Sequence, residues 1–441
     1  MKPNGQLDRR SFLRGALVAA GAVGVPSFVP RRVFGADAPS EQITIGCIGT
    51  GRMGRDDMKE ILGFKEARIL AVCDLDSKRA DDARVLVEQA YGKGAATAWK
   101  GCQAYGDFRE VVGRTDIDAV MICTPDHWHV LPAIAAAKAG KDIFLQKPLS
   151  YTVEEGRALS NAVTRYGRVF QVGSQQRSDS RFRLACELVR NRRIGKLQRV
   201  EVGFGTDPGC SPQPEQPVPP NLNYDMWLGP APEAPYTEYR VHPQKDYGRP
   251  GWLRLAAYGH GMITGWGSHH LDIAQWGMDT EKTGPVEVVG QAVYPKEGLW
   301  DVHGDFRIEY TYAGGVKVIC ADESKCKQGV HFFGDAGSIY VRRESIDADP
   351  KSLLDEKLGP NDIALYRSNN HKRNWLDCIK TRAETIAPVE TGHRSCTVCL
   401  LGSIAMRLGR KLRWDPEKER FVGDDEADRM LSRRMRSPWR L

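Results

Sequence analysis

Between residues 43 and 150 the chain alternates short apolar runs with mixed stretches. ITIGCI (43–48), ARILAVCD (67–74), DAVMICTP (118–125) and KDIFLQKPLS (141–150) each hold a continuous apolar core. Such runs, bounded by Gly, Pro and Asp, predict strands buried on both faces, the pattern of a parallel sheet. Helices are expected between them, over residues 55–62 and over LPAIAAAKAG (131–140), where Pro132 sits in the first turn and Gly140 at the end. After residue 190 the pattern changes. LQRVEVGFG (197–205), VEVVGQAVYP (286–295), DFRIEYTYAGGVKVICAD (305–322) and SIYVRR (338–343) alternate apolar and polar positions, as half-buried strands do. The Gly-Gly of TYAGGVK predicts a hairpin turn. CTVCLLGSIAMRLG (396–409) reads as a long apolar helix, and SPQPEQPVPP (211–220) as a surface loop, over a site or at a subunit contact.

The first run leads into Gly49, Gly51 and Gly54, a GxGxxG, and the second ends on Asp74, twenty residues beyond Gly54. Strand, glycine turn, helix and acid in this order form a dinucleotide-binding fingerprint. The glycines let backbone approach a pyrophosphate, and the helix start favours its charge. Thr50, Arg52 and Met53 complete the turn. Asp74 would accept ribose hydroxyls and repel a 2′-phosphate, which predicts NAD, with NADP as the alternative. Lys78 and Arg79, able to reach such a phosphate, read as a solvated helix face. Later strand ends bring Thr124, Pro125, His127, His129, Gln146 and Lys147 to the same edge, where ligands bind in doubly wound sheets. Lys147 precedes Pro148 and is held extended. Beside a nicotinamide it could hydrogen-bond a substrate hydroxyl and stabilise a developing alkoxide.

Composition changes little of this picture. The net charge is +7, but residues 1–38 hold six Lys/Arg and two Asp/Glu, so the remainder carries +3, too little to point to nucleic acid. Those residues, DRRSFLRGALVAAGAVGVPSFVP and onward, place Arg9 and Arg10 before an uncharged run over 15–30 and a small-residue zone at GADA. They read as a twin-arginine export signal, too short in its apolar part to span a bilayer. The eleven cysteines are odd in number and scattered, which argues against a disulfide framework. Cys396 and Cys399 form a lone CxxC, read as helical core.

The stretch GWGSHHLD (265–272) places two histidines after a glycine turn. Adjacent helical residues point about 100° apart, so His269 and His270 cannot face one small site together. His269 and Asp272 can share a face. Ser268 is a candidate N-cap, putting His269 in the first turn, where the helix dipole disfavours imidazolium. Gly265 and Gly267 would form the turn. His269 and Asp272 supply two zinc ligands without a third of recognisable spacing, so no metal is expected.

Together the fingerprint at 49–54, CTPDHWH (123–129), QKP (146–148), GWGSHHLD and GDAGSIYV (334–341) resemble the glucose-fructose oxidoreductase / inositol dehydrogenase / MocA family. YDMWLGPAP (224–232) and APVETGHRS (387–395) are similar to an exported branch of it. The resemblance implies an α/β fold: an N-terminal Rossmann domain (39–165, after a leader at 1–38) and a C-terminal α+β domain (166–441) with a large, open, mostly antiparallel sheet. It implies catalytic roles for Lys147 and His269, a sugar or polyol substrate, and a homo-oligomer, dimer or tetramer. Two positions depart from the family motifs. Gln146 replaces a glutamate, and Gly265 replaces an aspartate, whose part His270, Asp272 or a residue of another segment would have to take.

Further substrate candidates are Gln175 and Arg177, which follow another strand, and Asp225, Tyr236, His242, His393 and Arg394. The expectation is an exported NAD(P)-dependent sugar oxidoreductase, loaded with tightly held cofactor in the cytoplasm before twin-arginine export to the periplasm. The alternatives are a glycosidase or lyase working by transient oxidation, and a non-catalytic cofactor-bearing sugar-binding protein.

Overall fold

A computed structural model describes residues 42–93 and 98–441. The expected leader, residues 1–38, lies outside the described residues. The front half builds β1 (Ile43–Ile48), α1 (Arg52–Leu62), β2 (Ala67–Cys73), α2 (Ser77–Gly92), β3 (Gln103–Tyr105), α3 (Phe108–Gly113), β4 (Ala119–Ile122), α4 (Val130–Lys138), β5 (Asp142–Leu145), α5 (Val153–Arg165) and β6 (Phe170–Val172). The strands form one parallel sheet in the order β3-β2-β1-β4-β5-β6. Its central strands β1 and β4 are apolar except for Thr44, because helices cover both faces. The sheet takes β6 from beyond residue 165, so it outruns the boundary set from the sequence.

The chain continues through α6 (Ser180–Arg190), β7 (Leu197–Phe204), α7 (Tyr224–Leu228), α8 (Met262–Gly265), α9 (Gly267–Met278), β8 (Glu287–Ala292), β9 (Phe306–Thr311), β10 (Lys317–Asp322), β11 (Gly329–Gly334), β12 (Ser338–Arg342), β13 (Ser345–Asp349), α10 (His371–Thr381), α11 (Val389–Leu408), β14 (Leu412–Asp415), β15 (Arg420–Phe421) and α12 (Asp425–Arg429). The second sheet runs β13-β12-β11-β7-β10-β9-β8-β14-β15, antiparallel apart from the β7–β10 pair. Gly315, at φ +82°, turns the β9–β10 hairpin. α11 is apolar nearly all round, and it is buried against α5, α9 and the sheet. Cys396 and Cys399 lie in it, and all eleven cysteines are free thiols.

Candidate active site

The carboxyl ends of the parallel strands open on a cavity of about 920 Å³. At one end lies the glycine turn. Gly49 has φ +84°, and a Cβ there would meet the Cys123 carbonyl at 2.6 Å. A Cβ on Gly54 would stand 2.0 Å from the Gly49 oxygen. Gly51 is bare toward the cavity and no side chain caps α1, which leaves the first helical N–H groups for an anion. Thr50 is buried behind this surface. Its N–H and hydroxyl donate to Asp74 Oδ2 at 2.8 and 3.1 Å, and the Asp76 N–H donates to Oδ1 at 3.0 Å. Asp74 thus stays fixed at the cavity wall. A glycine surface that any Cβ would fill, an uncapped helix start and a carboxylate at the end of β2 fit a dinucleotide with free ribose hydroxyls.

Arg52, Met53, Thr124, Pro125, His129, Gln146 and Lys147 line the same cavity. His129 lies between the carbonyls of Pro148 (2.6 Å) and Thr124 (2.9 Å), bracing one strand end against the next. Burial pushes its pKa down to about 4, with those carbonyls opposing. Lys78 is exposed and pairs with Asp82, as a solvated face requires. Arg79 departs from that reading. It is buried at the cavity, and its Nη2 donates to the Pro243 and Asp246 carbonyls at 2.8 and 3.1 Å.

Those carbonyls belong to residues 236–250, a segment of the C-terminal half packed on α2. His242 Nε2 is 3.1 Å from Asp76 Oδ2, Asn221 donates to Asp76 at 2.8 Å, and the Tyr247 hydroxyl donates to Asp82 at 3.0 Å. Burial acts to raise the Asp76 pKa, but the bonds from His242, Asn221 and the Arg79 N–H prevail and hold it at about 2. The Pro-rich stretch stays off the cavity and braces this segment through Gln216, which bonds Tyr236 and Glu238.

The other end holds Lys147, His269, Asp126, Gln175, Gln176, Trp266 and Arg343. His269 lies in the first turn of α9, but by a different route from the expected cap. α8 runs almost directly into α9, so Ser268 is already helical and donates to the Thr264 carbonyl at 2.6 Å. The sharp turn is at Gly261, φ +66°, rather than at Gly265 or Gly267. His269 Nδ1 is buried without a hydrogen-bond partner. Burial first, then the charges of Lys147 and Arg343, push its pKa well below the usual imidazole value. Lys147 Nζ makes no hydrogen bond or ion pair among the described residues. Its pKa is lowered by burial and by Arg343 and Arg249, against Asp126. Burial raises Asp126 to about 7, with Lys147 opposing. Arg343 stacks 4.5 Å over the Trp266 ring.

Seven candidates do not reach this cavity. His270 points the other way, its Nδ1 3.1 Å from the Gly203 carbonyl, as the helical step required. Asp272 and Arg177 form a buried pair at 2.7 Å, with Ser395 also donating to Asp272 and Glu281 also bound by Arg177. Asp225 is exposed and paired with Arg436. Tyr236 packs edge-on to Tyr224 in a separate apolar cluster. His393, inside α11, bonds Glu419 at 2.7 Å, and Arg394 binds Glu390 and the Pro416 carbonyl. All seven are held by packing or by structural partners away from the cavity, although the Tyr236 hydroxyl and His393 Nδ1 are left without a hydrogen-bond partner.

The sequence reading missed Gln176, Asp126, Arg343 and the Asp57–Lys372 pair. Gln176 is buried at the cavity with neither amide atom bonded. It adjoins Gln175, and the QQ pair was a usable signal. Asp126 stands inside the CTPDHWH motif. Lys372, 315 residues from Asp57, left no local trace.

Residues 43–174 match the family described as "Oxidoreductase family, NAD-binding Rossmann fold", and residues 207–441 match "Oxidoreductase family, C-terminal alpha/beta domain". Inositol 2-dehydrogenase 3 of Saccharopolyspora erythraea is 34% identical over 33% of this chain and 40% of its own length. Glycosyl hydrolase family 109 protein 2 of Shewanella sp. (strain ANA-3) is 32% identical over 34% and 35%. The chain thus spans less than half the length of these curated relatives. Among solved structures, aldose-aldose oxidoreductase from Caulobacter crescentus, complexed with glycerol, superposes with a TM-score of 0.59 at 18% identity, over 84% of this chain and 99% of that one.

Proposed function

Because the chain belongs to the Gfo/Idh/MocA oxidoreductase family and carries its NAD-binding Rossmann fold, we propose that it oxidises or reduces a carbinol carbon of a sugar, polyol or glycoside. The observation that carries the reading is one cavity holding a dinucleotide cradle at one end and Lys147 with the unpartnered His269 at the other. A bound nicotinamide supplies the hydride acceptor or donor. The protein's own groups do the rest. Lys147 binds the reacting oxygen, and His269, neutral by burial, accepts from or donates to the same hydroxyl. Gln175 and Gln176 bind neighbouring hydroxyls. Arg79 and the 236–250 segment wall in the cofactor end, which supports slow exchange of the dinucleotide. Slow exchange suits a protein loaded in the cytoplasm and exported by the leader read at residues 1–38. The test is acid release and mass analysis of co-purified NAD(H), then sugars and polyols offered to wild type, K147A and H269A. Absence of both cofactor and NAD affinity would overturn the reading.

Transient oxidation with glycosidic cleavage is the second reading, favoured by the family 109 glycosyl hydrolase among the relatives. Aglycone release from a nitrophenyl glycoside without net change at 340 nm distinguishes it.

A further inference from the structure

Six Lys and Arg side chains line the cavity, and the fold answers the charge of most of them. Arg79 is bound by the Pro243 and Asp246 carbonyls. Arg181 makes two bonds to Asp179, and Arg249 donates to Asp207 at 2.7 Å. Arg52 opens α1 beside the glycine turn, on the pyrophosphate side. Lys147 faces the reacting oxygen. Arg343 has no such employment. It follows β12 directly, is exposed where the cavity meets solvent, and makes no hydrogen bond or ion pair among the described residues. The acids within its field are Asp179 and Glu344. Both are engaged elsewhere, by Arg181 at 2.6 Å and by Arg342 at 3.3 Å.

Arg343 is nevertheless held in place. Its guanidinium carbon lies 4.5 Å from the centroid of the Trp266 ring. Trp266 in turn meets His269 edge-on at 5.9 Å, so one indole separates the guanidinium from the imidazole. Stacking fixes the plane of an arginine and leaves the N–H donors on its edge free. The same cavity holds Gln176, 3% exposed with both amide atoms unbonded. A stacked, unpaired guanidinium, a free ammonium at Lys147 and an unbonded buried amide call for a ligand rich in acceptor oxygens and carrying negative charge.

We propose that the substrate is an acidic sugar, its carbinol at Lys147 and His269 and its carboxylate or phosphate group on the Arg343 fork. The inference rests on the oxidoreductase reading above and narrows its substrate class. Two oxygens of a carboxylate or phosphate match the two parallel N–H groups of a guanidinium edge, which a single neutral hydroxyl does not. With the anion held there, Lys147 stays free for the oxygen that reacts. Trp266 offers an apolar face between the two ends. A neutral sugar fills the carbinol end but leaves Arg343 to water, so the acid is favoured by the strength of one charge-assisted pair.

The test uses purified full-length protein with saturating NAD. Calorimetric titration compares D-glucuronate, D-galacturonate, D-gluconate and D-glucose 6-phosphate with neutral D-glucose and D-galactose. At least one acid should bind about tenfold tighter than its neutral parent, and whether it is a carboxylate or the phosphate identifies the group. R343Q should abolish that preference. R343K should keep part of it, since the charge survives without the fork. Absence of any preference for an acid, or a preference that persists in R343Q, overturns the proposal. Turnover of the same sugars tests the oxidoreductase reading separately. Acids that bind through Arg343 but are never oxidised or reduced sink that reading alone, whereas neutral sugars turned over as readily as acids sink the proposal alone.

Discussion

Gln146 Nε2 donates to Asp57 Oδ2 at 2.8 Å, while Lys372 Nζ donates to Asp57 Oδ1 at 2.6 Å. The amide stands at position 146 because α1 already supplies a carboxylate there. Gln146 Oε1 in turn accepts the Lys147 N–H at 3.2 Å, so the network sets the backbone from which Lys147 projects. A glutamate at 146 would place two buried carboxylates in contact. Q146E is expected to lose about 3 kcal/mol at pH 7.5. The new carboxyl's folded pKa would lie above its unfolded value, so the penalty is full above that folded pKa and fades as pH falls through it. Urea unfolding of both proteins at pH 7.5 and 5.5 checks the sign. An equal deficit at both would contradict it.

Gln176 presents two unpaired amide atoms to the cavity. Unpaired buried groups weaken the fold and wait for a ligand. Q176L should raise stability by about 1 kcal/mol and raise substrate KM about tenfold, the equivalent of one lost hydrogen bond of roughly 1.4 kcal/mol. Thermal unfolding and initial rates read the two effects separately.

The buried Arg177–Asp272 pair belongs to the fold rather than to substrate. R177A leaves Asp272 uncompensated and should cost about 3–5 kcal/mol, while KM of the folded fraction is unchanged. A raised KM without lost stability would return these residues to the substrate site.

His242 fastens the 236–250 segment to Asp76. H242A should speed NADH release about tenfold, a loss of roughly 1.4 kcal/mol of holding energy, seen as faster fluorescence decay when excess NAD is added. The Asp76 pKa of about 2 lies below its unfolded value of about 4. Its contribution to stability is therefore complete above about pH 4 and is lost as pH falls toward 2. H242A should flatten that acid limb in a denaturation profile.

The front half was legible because its chemistry is written in contiguous residues. Gly49, Gly54 and Asp74 act through their own backbone or a neighbouring strand, and short-range pattern captures that. The helical step likewise separated His269 from His270. The misreadings involve partners far along the chain. Arg177 looked like a pocket residue because Asp272, 95 positions away, leaves no local mark on it. Ser268 resembled a cap because nothing nearby announces α8. β11 was not read, since its pairing with β7 joins residues more than a hundred positions apart. Arg79 was misjudged for the same reason: the carbonyls that bury it lie 164 and 167 residues downstream.

That separation has a consequence for order of assembly. The bond between Asp76 and His242 spans 166 residues, so during synthesis the glycine cradle emerges well before the segment that walls it. Until then the proposed dinucleotide site lacks the wall that Arg79 and the 236–250 segment give it. On the slow-exchange reading proposed above, cofactor capture would belong to the birth of the molecule rather than to its working cycle. Denatured protein refolded with NAD present should recover full occupancy, whereas NAD offered after refolding should load slowly.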